Sequence, residues 1–341
     1  MAIADVTVMG AGVFGLSVAY ACARRGAKVQ VIDPAGIAAG ASGGLVGALA
    51  PHVPEHWNDK KAFQFDSLIM AETFWAEVAK LTGAETGYAR TGRLQPLADA
   101  RAVDLARARA VSAEDLWQGL ATWQVEPVSD NQWMPPSPSG HVVRDTLSAL
   151  IHPRRATQAL ADAVTALGGT IRPVGTPYGK IVWATGWAGM QEIGGNGVKG
   201  QAALLRHDAA GAPQLFADAL HIIPHLDGTV AIGSTSERDF TDPTSTDSAL
   251  DDVIARAVAA FPVLQGAAVI ETWAGVRPRA PSRAPVLGDH PIRKGEYIAN
   301  GGFKIGFGMA PKVGQVMADL LLNEKDSIPD GFRATPPIVG A

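Results

Sequence analysis

The sequence of 341 residues has little of several residue types, and each scarcity excludes a class of protein. It contains one cysteine, Cys22, so the chain cannot form an internal disulfide. Cys22 stands in an apolar helical pattern, which predicts a core residue in a reducing compartment. The chain also lacks a C-x-x-C pair, an H-E-x-x-H motif and a Ser/His/Asp order. We therefore predict neither a metal site nor a hydrolase.

Charge is sparse as well. Charged residues make up 18% of the chain, the formal net charge is -4, and no long basic run is present. A nucleic acid or an anionic membrane surface is therefore not expected as a partner. The apolar stretch 6–23 is interrupted by glycines and follows no positive segment, so we expect neither a signal peptide nor a membrane span. The cytoplasm is the expected location.

Glycine and apolar residues are abundant instead. The chain has 38 glycines and is 47% hydrophobic, which is typical of a compact protein long enough for two domains. One glycine-rich stretch, "GGFKIGFGMAPKVG" (301–314), contains a lysine, Lys304, near its beginning. Glycine allows a backbone to approach a ligand closely, so this stretch predicts a strand or loop lying against a flat, polar group.

The N-terminal segment predicts a βαβ unit. The residues "DVTVMGAGVFGLSVAYACARRGAKVQVID" read as a strand over 5–9, a helix over about 13–24 and a strand over 28–32. Gly10, Gly12 and Gly15 have the G-x-G-x-x-G spacing, which suits a tight turn, close approach of a pyrophosphate and close packing of helix on strand. Asp33 follows the second strand, where a carboxylate accepts hydrogen bonds from ribose hydroxyls. The unit predicts a dinucleotide site but does not choose between NAD and FAD.

The residues after Asp33 favour a flavin. Small residues run from Ala38 to Ala48 in "GIAAGASGGLVGALAPH" and bring a second backbone segment close to the ligand. A flavin ring is held along much of its length and needs such a neighbour, whereas a nicotinamide more often swings in from a mobile pose. A small-residue helix packed on the sheet is the alternative, and an NAD-dependent dehydrogenase stays open at this point.

Several motifs, taken in order, resemble the D-amino-acid-oxidase family of FAD-dependent oxidoreductases, and most of all its glycine oxidase and sarcosine oxidase-like members. They cover most of the chain and are "GAGVFGLSVAY", the acid of "VID", "GASGGLVGA", "HPRRATQALADAVTALGG", "KIVWATGW", "VKGQ", "IIPHLDGTVAIGSTSERDF", "WAGVRPRAPSRAPVLG" and "GGFKIGFGMAP". The resemblance implies an α/β fold, α+β overall. A Rossmann-like FAD domain (1–80, 144–198 and 277–341) is interleaved with a substrate domain on a mixed or antiparallel sheet (81–143 and 199–276).

The resemblance also implies a set of cofactor-binding residues. Val174 is placed on the strand that contacts adenine, and the glycines around Lys304 are expected to turn backbone N–H groups toward the pyrimidine end of the flavin. His52 invites a covalent flavin link, but its spacing does not match, so FAD is expected to bind noncovalently. The whole set is Gly10, Gly12, Val13, Phe14, Gly15, Asp33, Ser42, Gly43, Gly44, Leu45, Val174, Gly186, Gly302, Phe303, Lys304, Ile305, Gly306 and Phe307.

Three residues are expected on the substrate side. Arg277 in "WAGVRP" matches an arginine that grips the substrate carboxylate, and its planar fork suits two carboxylate oxygens. A structural salt bridge is the alternative. Lys304 stands where glycine oxidases have an arginine and where sarcosine oxidase-like members have a lysine that meets the carboxylate. His221 stands near the position where glycine oxidases have a tyrosine. It is either a pocket residue or an ordinary strand histidine without a role in the site.

The resemblance implies oxidation of a small amino acid or secondary amine, such as glycine, a D-amino acid or an N-alkyl glycine. The departures at positions 304 and 221 argue against naming glycine itself. The electron acceptor that reoxidises the flavin is expected to be oxygen or an electron-transfer partner. The chain can form a homo-oligomer or a hetero-oligomer, and the sequence does not choose between them. The alternatives are a flavoprotein subunit of a heteromeric amine dehydrogenase and a noncatalytic nucleotide-binding protein.

Overall fold

The computed structural model describes residues 4–334. Within them the chain forms helices and strands in nearly regular alternation. The helices are α1 (Val13–Ala23), α2 (Asp59–Thr82), α3 (Ala100–Leu116), α4 (Pro153–Ala166), α5 (Gly186–Glu192), α6 (Ser248–Ala260) and α7 (Gly306–Asn323). The strands are β1 (Val6–Met9), β2 (Val29–Ile32), β3 (Ala48–Leu49), β4 (Arg93–Pro96), β5 (Trp123–Pro127), β6 (His141–Asp145), β7 (Ala149–Leu150), β8 (Thr170–Arg172), β9 (Lys180–Trp183), β10 (Asn196–Arg206), β11 (Gln214–Ala217), β12 (Leu220–Pro224), β13 (Thr229–Gly233), β14 (Val269–Arg279), β15 (Val286–Asp289) and β16 (Tyr297–Asn300).

The first sheet has the order β15-β16-β9-β1-β2-β8 and is parallel except at β15. The predicted βαβ unit is present as β1, α1 and β2, with bounds within a residue of the expected ones. Helix α1 is buried on nearly every side because it packs between the strands, α4 and α7. Cys22 lies on this helix and is fully buried, and burial raises the pKa of its thiol to about 12, as expected for an inert core cysteine.

The second sheet has eight strands in the order β14-β10-β13-β12-β11-β4-β6-β5 and is antiparallel except between β11 and β4. Strands β12 and β13 form a hairpin whose turn contains Asp227 and Gly228, at the Asp-Gly break that the sequence predicts. Helix α6 covers one face of this sheet with Leu250, Val253 and Ala257. The predicted α/β class with one mixed or antiparallel sheet is therefore confirmed.

The chain crosses between the two sheets several times. The strands of the eight-stranded sheet come from 93–145 and 196–279, where the segments expected for the substrate domain are 81–143 and 199–276. The domain bounds themselves stay a prediction. A short sheet of β3 and β7 joins the segment after residue 40 to the start of α4, between the two larger sheets. Across residues 4–334, no helix has both the length and the apolar content that a bilayer crossing requires.

Candidate active site

A cavity of about 850 Å³ lies between the two sheets. Its nucleotide side is formed by the carboxyl ends of β1, β2 and β9 and by the N-termini of α1 and α7. Its substrate side is formed by β11 to β14, which contribute Phe216, His221, Ser234, Trp273 and Arg277. Ligands of open α/β sheets bind at the carboxyl ends of the strands, so the position of the cavity matches the βαβ unit.

The glycine turn is closely packed against the next strand. Gly10 has φ 118°, and a Cβ at this position would lie 2.8 Å from the carbonyl carbon of Ala184, at the end of β9. Gly15 does not line the cavity: a Cβ there would lie 3.1 Å from the carbonyl carbon of Gly10, which agrees with the packing role of the third glycine. Gly12, Val13 and Phe14 line the cavity at the N-terminus of α1.

Asp33 lies at the end of β2 and lines the cavity. Backbone N–H groups fix its carboxylate: Ala11 donates to Oδ2 at 2.7 Å and Ala35 donates to Oδ1 at 2.9 Å. Each carboxylate oxygen keeps a further lone pair, so the group can still accept hydrogen bonds from ribose hydroxyls. Asp33 is also the only acidic residue that the described part of the chain places on the cavity wall.

The small-residue segment closes over the glycine turn, and one residue of it departs from expectation. Ser42 Oγ accepts a hydrogen bond of 2.9 Å from the backbone N–H of Val13, and Gly44 and Leu45 line the cavity. Gly43 lies on the outer side: its carbonyl accepts a hydrogen bond of 2.7 Å from Arg154 Nε, and it lines an external groove. The 3-10 turn over Ala41–Gly43 rotates its backbone away from the cavity, so the structure does not place Gly43 there.

Val174 is the clearest departure among the predicted cofactor residues. It is 75% exposed, does not line the cavity and lies beyond β8, which ends at Arg172. Strand β8 has three residues and forms the edge of the first sheet, so the chain leaves the sheet for the surface before it reaches Val174. Gly186, at the start of α5, does line the cavity as expected.

The glycine-rich stretch after β16 forms a loop that leads into α7. Gly302, Phe303, Lys304, Gly306 and Phe307 line the cavity. Ile305 instead faces a smaller chamber beside it. No side chain caps the N-terminus of α7, so the partial positive charge of the helix end is directed at the cavity.

Arg277 lies on β14, is 8% exposed and lines the cavity. Its Nη2 donates to Ser234 Oγ at 2.7 Å and to the carbonyl oxygen of Thr235 at 2.9 Å. Gly200 on the neighbouring strand makes room for it, because a Cβ there would lie 2.7 Å from Nη1. Burial lowers the pKa of Arg277 to about 10, so the side chain stays charged at neutral pH.

No carboxylate in residues 4–334 forms an ion pair with Arg277. The alternative of a structural salt bridge is therefore not what the structure shows. A buried cation without an anionic partner is costly, which makes an anionic ligand the expected partner of this guanidinium.

His221 lies on β12 with its ring 4.8 Å from the ring of Phe216, centroid to centroid. Its Nδ1 is buried and has no hydrogen-bond partner among the described residues. Burial, helped by the nearby charges of Arg93 and Lys304, lowers the pKa of His221 to about 3. The ring is therefore neutral at physiological pH and can exchange one hydrogen bond with a ligand.

Sequence reasoning missed two residues of the substrate side. Ser234 holds Arg277, and Phe216 lines both the cavity and the chamber beside it. Ser234 lies in the quoted stretch "IIPHLDGTVAIGSTSERDF", which gives it no role, and Phe216 lies in none of the quoted motifs. Their only signal is the alternation of the strands over 202–235, which predicts a pocket wall without indicating which side chains face it.

These features agree with the protein family to which the chain is matched. Residues 5–320 match the family described as "FAD dependent oxidoreductase" (DAO), and the chain belongs to this family. The resemblance stated from the motifs is thereby confirmed, and flavin is favoured over nicotinamide, the choice that the glycine motif alone leaves open.

Individual relatives narrow the comparison. The chain is 28% identical to the bifunctional protein ThiO/ThiG of Synechocystis sp., with 98% of this chain and 55% of that protein covered. It is 22% identical to a glycine oxidase of Bacillus licheniformis, with 93% of each covered. The chain thus spans about half the length of the bifunctional relatives.

Solved structures share the fold. The glycine oxidase of Geobacillus kaustophilus superposes with a TM-score of 0.84 at 19% identity, covering 97% of this chain and 98% of that one. The iminodiacetate oxidase of Chelativorans sp. superposes with a TM-score of 0.83 at 22% identity, covering 97% and 99%.

The residues of the nucleotide side fit FAD. Two helices, α1 and α7, direct their N-termini at one cavity, and such ends bind phosphate and stabilise negative charge. The turn at Gly10 leaves no space for a side chain, and Asp33 stands at the ribose position of the motif. Gly12, Gly44, Gly186 and Gly302 complete a wall that is mostly backbone.

Proposed function

We propose that the protein catalyses the FAD-dependent oxidative deamination of a small amino acid or secondary amine, of the glycine, D-amino acid or N-alkyl glycine type. The observation that carries this proposal is Arg277, a buried guanidinium that lines the cavity and, although the charge of Glu237 reaches it, forms no ion pair within residues 4–334. The names of the relatives, glycine oxidase and iminodiacetate oxidase, support the same class of substrate.

The chain would act mainly by positioning. Arg277 binds the substrate carboxylate with its planar fork, and its hydrogen bonds to Ser234 and Thr235 fix the direction of that fork. His221 is neutral, so it can form a hydrogen bond with the substrate without placing a charge beside the amine. When bound, FAD would supply the two-electron oxidation by taking a hydride from the substrate C–H bond; with loss of an N–H proton this would give an imine, which water would hydrolyse to an oxo acid and ammonia or an amine.

The N-terminus of α7 would contribute electrostatically. Its free backbone N–H groups and its partial positive charge lie at the cavity wall, where they favour a ligand that gains negative charge. Lys304 places a second cation on the same wall. Burial and the charge of Arg277 lower the pKa of Lys304.

We further propose that FAD binds noncovalently. Cys22 is buried in the core of α1, away from the cavity, and Nδ1 of His52 makes a short hydrogen bond with Gln64 Oε1 in the side chamber. Denaturation in acid should therefore release all of the flavin into the supernatant. Flavin that stays with the protein pellet would contradict this proposal. Oxygen or a protein partner completes the cycle as electron acceptor.

The test of the proposed function is an anaerobic titration of the purified flavoprotein with amino acids and N-alkyl amino acids, followed by the visible flavin absorbance. A carboxylate-bearing amine should bleach the oxidised flavin, and Arg277→Lys should lower kcat/KM for it by at least about 30-fold, or about 2 kcal/mol, since the fork is lost. The FAD content of the variant should be unchanged. Bleaching that is insensitive to Arg277→Lys, or absent with every compound, would overturn the proposal.

A further inference from the structure

We propose that the substrate carries a second anionic group, bound in a side chamber next to Lys304, so that the preferred substrate is an amino or imino acid with two acidic ends. This inference rests on the proposed function and names its substrate class. The side chamber is defined by His52, Gln64, Arg93 and Ile305, together with residues that it shares with the main cavity.

The chamber is a continuation of the main cavity. It has a volume of about 180 Å³ and shares Ala48, Phe216, His221 and Lys304 with the larger space. At roughly 30 Å³ per water molecule, this is room for a carboxymethyl or carboxyethyl group. Arg277 and Ser234 do not line the chamber, so a group inside it is separated from the first carboxylate site.

The charge of the chamber is positive. Its wall includes Lys304 and Arg93 and no acidic residue of the described part of the chain. Arg93 is neutralised by Asp145, with Nε 2.9 Å from Oδ2, and both side chains are buried. Lys304 makes no hydrogen bond or ion pair within residues 4–334, so its ammonium group is the available cation. Lys304 is exposed in the open cavity, and a second anion is the ligand that would pair with its charge.

His221 supplies a polar partner on the shared wall. Its Nδ1 is buried without a partner among the described residues and has no accessible surface, which leaves Nε2 as the ring nitrogen that a ligand can reach. The ring stands between the main cavity and the chamber, since it lines both. A carboxylate entering the chamber can therefore meet the Lys304 ammonium and an imidazole N–H together. The two cations, Arg277 and Lys304, then serve the two ends of one substrate.

The test compares ligands with one and two carboxylates. Non-oxidisable acids (propionate against succinate) are titrated by their perturbation of the flavin spectrum, and N-methylglycine is compared with iminodiacetate in the anaerobic reduction. In the wild type, each dicarboxylate should bind at least about tenfold more tightly than its monocarboxylate, an advantage of about 1.4 kcal/mol. Lys304→Gln should lower the dicarboxylate affinity more than the monocarboxylate affinity, so that the ratio of the two affinities approaches one.

Matched variants distinguish the charge from the fold. Lys304→Arg should keep the dicarboxylate advantage, and Lys312→Gln, a change on α7 of a lysine paired with Asp66, should leave it unchanged. Equal affinities for the two acids in the wild type would overturn the inference. So would an equal loss for both acids in Lys304→Gln, since Lys304 would then hold the same carboxylate as Arg277. If no amine reduces the flavin, the proposed function fails, whereas the titration with non-oxidisable acids still decides the inference.

Discussion

The two sides of the cavity present different groups to a ligand: mainly backbone groups on one side and side chains on the other. The nucleotide side is mostly backbone: glycines at 10, 12, 44, 186 and 302 and two helix N-termini face the ligand, with Asp33 as its only acid among the described lining residues. The substrate side is made of side chains, chiefly Arg277, His221 and Phe216, which project from neighbouring strands of the second sheet.

The difference reflects what each side has to recognise. A pyrophosphate and a flavin ring are large and polar along their length, so N–H groups and helix ends can hold them wherever side chains are absent. A small amino acid offers few atoms, so its recognition depends on one or two charged side chains in a dry pocket. The turn at Gly10 should therefore tolerate no added atoms, and the substrate side should be sensitive to small changes in hydrogen bonding.

The largest effect is expected from adding one methyl group to the nucleotide side, in Gly10→Ala. The new Cβ would lie 2.8 Å from the carbonyl carbon of Ala184, at a φ of 118° that side chains rarely adopt. We expect the FAD content of the purified protein to fall at least about tenfold. The free energy of unfolding should fall by about 1–3 kcal/mol. The ratio of flavin to protein absorbance and a denaturant titration measure the two quantities.

Gly331→Ala is the matched control for this change. Nothing lies within 4 Å of a Cβ at Gly331, and its φ is outside the positive region. This variant should bind FAD like the wild type. If Gly10→Ala kept its full FAD content, the description of the nucleotide side as a wall that admits no side chain would be wrong.

The same difference explains how much can be predicted from the sequence. Glycine spacing encodes the nucleotide side because each glycine is required by a local approach, so Gly10, Gly12 and Asp33 are found where the motif places them. The positions of Val174 and Gly43 could not be predicted in this way. A short edge strand and a 3-10 turn place these residues outside the cavity, and the motif spacing contains no sign of either.

The substrate side depends on long-range pairing. Arg277 and Lys304 are predictable through the family resemblance, but Ser234 and Phe216 become neighbours of the site only when β10 to β14 pair in their observed registers. A shift of one residue in any of these pairings would turn the side chains to the opposite face. Sequence alone therefore predicts that this sheet forms a wall but not which residues complete the site.

A smaller effect is expected from Ser234→Ala, on the substrate side. The change removes the hydrogen bond of 2.7 Å to Arg277 Nη2 and leaves the one to the Thr235 carbonyl, so the guanidinium keeps its charge but loses part of its orientation. Hydrogen bonds to charged groups contribute about 1.5–3 kcal/mol, and we expect KM for a carboxylate substrate to rise about tenfold with little change in kcat. Steady-state kinetics measures both constants.

Ser234→Thr keeps the hydroxyl group and should restore most of the affinity. The FAD content of both variants should equal that of the wild type, because Ser234 lies on the substrate side. A loss of FAD in Ser234→Ala, or an equal KM in all three proteins, would show that Ser234 does not position Arg277.

The smallest effect is expected on the pH dependence of stability, at the contact between His152 and His225, which we call the seam between the two sides. His152, at the start of α4, and His225, after β12, face each other with ring centroids 5.0 Å apart. His225 Nε2 donates to the carbonyl oxygen of Leu45 at 3.0 Å, which links the substrate sheet to the segment that closes over the nucleotide. Burial and the proximity of His225 lower the pKa of His152 to about 4, with Arg154 and Arg155 opposing protonation and Asp227 favouring it.

Because the unfolded chain binds a proton at His152 near pH 6.5 and the folded chain only near pH 4, stability should be full above about pH 6.5 and should fall as the pH decreases through this window. His152→Asn replaces the Nδ1 acceptor that caps α4 with an amide oxygen and removes the titration, so it should lose less stability between pH 7.5 and pH 5 than the wild type. We expect a difference on the order of 1 kcal/mol, since the ring keeps some solvent screening. Denaturant titrations at the two pH values measure it, and identical pH dependence in both proteins would show that folding does not lower the pKa of His152.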